Sequence, residues 1–151
     1  MEHNCVVDVY EYLLTSLKNG CDEVQFVASF PSELTDFPVK KPTASLGIGK
    51  ASLPFSECIF EGVDVSGNKY YGTTATFEFS LNICVPKTMP GIECYKAFDK
   101  IADVCLGLDS VIITNVYCGE IKYNRTMGAL VLSAGINLSV ELCTIVEAEE
   151  A

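Results

Sequence analysis

The segment from Gly47 to Ser52, "GIGKAS", joins glycine, lysine and serine, the residue types that cradle phosphate groups at a helix N-terminus. It lacks the first part of a Walker loop, and no helical pattern follows it. Its alternation is that of a strand, and we read it as one. Acidic pairs that could act as general acid and base occur at Asp22-Glu23 and at Asp99-Asp103. The first sits in a turn-like stretch and the second on the polar side of a helical pattern, so both read as solvated surface. The single histidine, His3, has no partner that the spacing would bring to it. No GxSxG elbow is present. The sequence therefore predicts no enzyme, no catalytic residue and no cofactor.

Eight cysteines raise the question of disulfides or zinc: Cys5, Cys21, Cys58, Cys84, Cys94, Cys105, Cys118 and Cys143. None forms a CxxC pair, and the intervals are wide and irregular. Cys84 in "SLNICVP" and Cys105 in "IADVCLG" stand where valine or alanine would also fit. Free cysteine behaves as a small buried hydrophobe, so reduced structural thiols in a cytosolic setting and no metal site are expected. In that setting the sequon at Asn124 stays unmodified.

The formal net charge is −10, and Lys40-Lys41 is the only adjacent basic pair. Sequence-specific binding to nucleic acid needs clustered Lys and Arg, so it is not expected. The acidity serves solubility, or lines a passage through which DNA slides without sticking. No apolar run reaches the roughly 20 residues of a membrane helix. The N-terminal "MEHNCVVDVYEYLL" has no basic leader, which predicts no signal peptide.

The elements follow from periodicity. Residues Cys5 to Lys18 place Val6, Val9, Tyr10, Leu13, Leu14 and Leu17 on one helical stripe, with Asn4 to cap it and Gly20 to close it. "DEVQFVASF" reads as a strand, and Pro31, Pro38 and Pro42 punctuate a loop. "TASLGIGKASL" is extended, with Ala44, Leu46, Ile48 and Lys50 on one face. Residues Phe55 to Asn68 hold a strand piece and a turn at Ser66-Gly67-Asn68. Then Tyr71, Thr73, Ala75, Phe77, Phe79, Leu81, Ile83 and Val85 share one face of a single strand, and mostly polar residues share the other. About 16 residues at roughly 3.3 Å each span some 50 Å, against about 17–20 Å for an ordinary strand. Such a strand bends or projects. Pro86 and Pro90 stop it. "GIECYKAFDKIADVCLGL" is a helix with Cys94, Phe98, Ile101, Ala102 and Cys105 inward and Glu93, Lys96, Asp99, Lys100 and Asp103 outward. "SVIITNVYCGEIKYN" and "MGALVLSAGINLSVELC" are two further strands.

The order α, β-run, α, β-β predicts one α+β domain over residues 1–151. Its sheet is mostly antiparallel, two helices pack on one face, and a long β-hairpin projects. The acidic end, residues 146–151, is expected to fray. The expected core holds Leu13, Leu17, Phe77, Phe79, Phe98, Ile101, Leu130 and Leu132.

One resemblance covers nearly the whole chain. "NICVPKTMPGIECYKAFDKIADVC" followed by "VIITNVYCGEIKYNRTMGALVLSAGINL" resembles the tail terminator (tail completion) proteins of tailed bacteriophages and phage-tail-like particles. The shared pattern is a long strand, a Pro-Gly break, an amphipathic helix, and two strands with Tyr-x-Arg-x-x-Gly between them. The resemblance implies a structural virion protein that forms a homo-oligomeric ring, in that family hexameric. The ring caps the tail tube, ends its polymerisation and offers a head-joining or collar surface. It implies the tail tube protein as partner, with sheath and head-tail connector proteins beside it. It also implies assembly in the cytoplasm of a bacterial host and no membrane. Intersubunit contacts are expected at Phe55, Ile59, Phe60, Tyr70, Tyr71, Lys87 and Met89. Two rival readings stay open: another neck, head-closure or tube subunit, and a small ligand-binding α+β domain.

Overall fold

The computed structural model describes residues 6–28, 40–54 and 59–146, with backbone alone at 28 and 143–146. Two helices and six strands form an α+β fold. They are α1 (Val6–Gly20), β1 (Gln25–Ala28), β2 (Thr43–Ser52), β3 (Ile59–Val63), β4 (Lys69–Pro86), α2 (Ile92–Leu106), β5 (Ile112–Asn124) and β6 (Ala129–Val146). The sheet is open, with order β1-β2-β4-β6-β5, and β3 pairs with β4 beyond the end of β2. All pairings are antiparallel except β1 with β2.

The alternation in β4 sets the core. Ala75, Phe77, Phe79, Leu81, Ile83 and Val85 are buried, and Thr74, Thr76, Glu78 and Ser80 between them are exposed. β6 lies opposite over the full 18 residues of both strands and adds Leu132, Ile136, Leu138 and Val140 to the same face. α1 covers it with Val9, Leu13 and Leu17, one turn apart each. The Tyr10 hydroxyl donates to the Leu46 carbonyl at 2.8 Å and ties α1 to β2. Gly20 is the last helical residue, and Val104 of α2 packs where a side chain would otherwise stand. Thus a residue expected only to end α1 also lets the two helices approach.

Several expectations shift. α2 buries Cys94, Ala97, Ile101 and Cys105, and Phe98 and Ala102 are only partly covered. The helix is turned so that Ala97, rather than Phe98 or Ala102, is buried. Leu130 is likewise half-buried, whereas Leu13, Leu17, Phe77, Phe79, Ile101 and Leu132 are core. Lys50 does not share the face of Leu46. The β2–β4 register slips between Ile48 and Lys50, so Ala51 comes opposite Phe77 and Lys50 opposite Glu78 on the uncovered face. A bulge of this kind leaves no mark on hydrophobic periodicity. Asn4, Pro31 and Pro38 lie outside the described residues.

Candidate assembly surface

β5 pairs with β6 only as far as Ser139, and β2 pairs with β4 only from Thr76 onward. Beyond these points β3, the first part of β4 and the last part of β6 continue as a narrow three-stranded arm. The projecting element is therefore not a two-stranded hairpin: β6 accompanies it to Val146, opposite Lys69. At its root the Thr73 hydroxyl donates to the Pro54 carbonyl at 3.2 Å.

The tip is a turn organised by one carboxylate. Asp64 accepts from the backbone N–H of Ser66 (2.8 Å) and of Asn68 (3.0 Å), from Asn68 Nδ2 (3.0 Å) and from the Tyr70 hydroxyl (2.9 Å). Gly67 takes φ +85°, which suits glycine. The Asn68 backbone bond is the main cause holding the Asp64 carboxyl below its ordinary range, although burial opposes it. Val65 stands on this turn fully in solvent, at 107% relative exposure.

Apolar side chains cover the arm. Ile59 is 69% exposed, Val63 55% and Phe60 53%. The Phe60 and Tyr71 rings meet at 5.5 Å, tilted by 60°. β3 carries a register slip between Phe60 and Gly62, where Gly62 adopts φ +149°. Glu61 bends over Gly72, in the space a side chain there would fill.

The expected contact residues thus divide. Ile59, Phe60, Tyr70 and Tyr71 come together on the arm. Phe55 lies outside the described residues. Lys87 and Met89 follow the opposite end of β4, some 50 Å away along the strand. Lys87 is exposed there, and Met89 packs against the core. Val63 and Val65 belong to the arm but were missed, because the turn chemistry of "VDVSGN" masks their exposure.

Two recesses complete the surface. One, of about 290 Å³, lies on the uncovered sheet face among Lys50, Ser52, Thr76, Glu78, Thr114 and Asn137. The other gathers Asp22, Glu23, Lys100 and Asp103 where the end of α1 meets α2. Lys100 pairs with Glu23 there and lowers its carboxyl. The two acidic stretches read separately in the sequence are therefore neighbours, joined by an ion pair. Among the described residues no group of three His, Cys, Asp or Glu side chains could hold a metal ion. Cys21, Cys84, Cys94 and Cys105 are buried free thiols, and burial pushes Cys84 and Cys105 up to about 11. Among the described residues no helix is long and apolar enough to cross a membrane.

No family model and no curated protein matches this sequence. In three dimensions the whole chain matches the sheath/tube terminator, in its extended state, of PVC, an extracellular contractile injection system. The TM-score is 0.55 at 12% identity. The match spans 64% of the length of that terminator. The chain therefore has a tail-terminator-like fold.

Proposed function

We propose that this protein is a structural subunit that caps a contractile-type tail. It forms a homo-oligomeric ring, by family resemblance a hexamer, that seats on the last layer of the tail tube and sheath and stops further growth. The observation that carries this reading is the match of this chain, over its whole length, to 64% of a sheath/tube terminator. The arm supports it, because its exposed Ile59, Phe60, Val63 and Val65 need another surface for cover. In a particle with a head, the same ring offers the joining surface.

The test is to replace Ser56–Asn68 by a short Gly-Ser turn. The expected variant keeps its helical and strand signal in circular dichroism, but neither forms rings in native mass spectrometry nor caps tubes in electron micrographs. A variant that still forms rings and caps tubes removes the arm from the mechanism. A parent chain that neither assembles nor binds tube ends overturns the reading.

A further inference from the structure

Among the described residues the arm has two open sides. β3 pairs with β4 on one side, and its other side has no strand partner among the described residues. Among the described residues, β6 from Val140 to Val146 pairs with β4 alone, since β5 ends its pairing at Ser139. Each side presents a row of backbone N–H and C=O groups able to accept another strand.

The two sides match in level and direction. Ile59 lies across Gly72 from Cys143, and Val63 across Lys69 from Val146. Both strands run antiparallel to β4, so they run parallel to each other. A closed ring repeats each subunit by rotation without translation along the axis. With the arms along that axis, such a rotation keeps every arm pointing the same way and brings one copy's β3 beside the next copy's β6 at the same level.

We propose, resting on the ring reading above, that β3 of one subunit pairs in parallel with residues 140–146 of the next. The sheet then continues from copy to copy. Each subunit gives one side and receives on the other, so closure leaves no open edge on the arms. Six copies close about 18 strands, a number that leaves an aqueous channel in other barrels. The bulge at Gly62 adds local twist, which favours a curved sheet over a flat ribbon. Exposed Glu61 and Glu141 share one face, so the closed sheet carries a ring of carboxylates on one wall.

Amide hydrogen exchange on the full chain tests this, comparing dilute monomer with assembled ring. The expected result is exchange slowed at least about tenfold at 59–63 and at 140–146 in the ring, with the outer side of β5 unchanged. A ring in which both segments exchange as in the monomer overturns the pairing and leaves the ring reading standing. Protection that arises only when tail tubes are added assigns the edges to a tube strand and also overturns it. A chain that stays monomeric with and without tubes overturns the ring reading and the pairing together.

Discussion

The ring of Tyr117 occupies the space where a side chain at Gly135 would stand, on the uncovered face of the sheet. A Cβ at Gly135 would stand 2.8 Å from Tyr117 Cε1 and closer still to Cζ and the hydroxyl. The two residues are register partners across β5 and β6. The aromatic ring shields a strand glycine that would otherwise leave a gap, a device that pins register.

Two effects therefore oppose each other in Gly135→Ala. Alanine in a strand gains about 0.5–1 kcal/mol over glycine, while displacing a cross-strand partner loses about 0.2–1 kcal/mol. The expected net change is small in the parent chain. In a Tyr117→Ala background the same substitution stabilises by the full gain. Urea melts of the four proteins read the difference; equal effects in both backgrounds would show that the ring does not cover the glycine.

Phe79 is 1% exposed and stacks on Phe77 at 5.6 Å, whereas Phe98 sits at the margin of the core. Phe79→Ala should cost about 3–5 kcal/mol in denaturant melts. Phe98→Ala should cost clearly less. The reverse order would mean that α2 is rotated from its place here.

The Asp64 turn carries a pH dependence of defined sign. A carboxyl lowered in the folded state lends stability above its unfolded pKa of about 4, and that stability is lost as pH falls through the lower folded value. Acidification should lower the protection of the Ser66 and Asn68 amides, measured against the intrinsic exchange rate at each pH, before the core opens. Asp64→Asn should remove this acid-dependent step. An unchanged acid profile in that variant would exclude Asp64 as the titrating group.

Of the five cysteines among the described side chains, four are buried free thiols. No more than four should react quickly with a thiol reagent in the native protein. All eight should react after unfolding without reductant. A shortfall in the unfolded chain would reveal disulfides.

The sequence made the long strand legible because apolar and mostly polar residues alternate from Tyr71 to Val85. The helices were legible for the same reason, down to Leu13, Leu17 and Ile101. What escaped depends on contacts between distant segments. Lys50 changes face through a bulge that only its pairing with β4 creates. Ala97 is buried and Phe98 only half-buried, because which of two neighbouring apolar residues faces inward depends on how the helix seats against the rest of the fold. The parallel pairing of β1 with β2 has no local signal. Within the candidate surface, Ile59 and Phe60 could be read as apolar residues in a segment too long for the body. The third strand of the arm could not, since periodicity does not say where a neighbour stops pairing.

The kink at Gly62 bears on how the free chain behaves in water. A straight, apolar strand at the margin of a sheet invites endless stacking with its own kind, as in amyloid. β3 is only five residues long, breaks its register at Phe60, and places Glu61 at the break. Shortness, a break and a charge each spoil the flat geometry that fibrils require. With Ile59, Phe60 and Val63 uncovered, aggregation is discouraged by shape rather than by hiding those side chains.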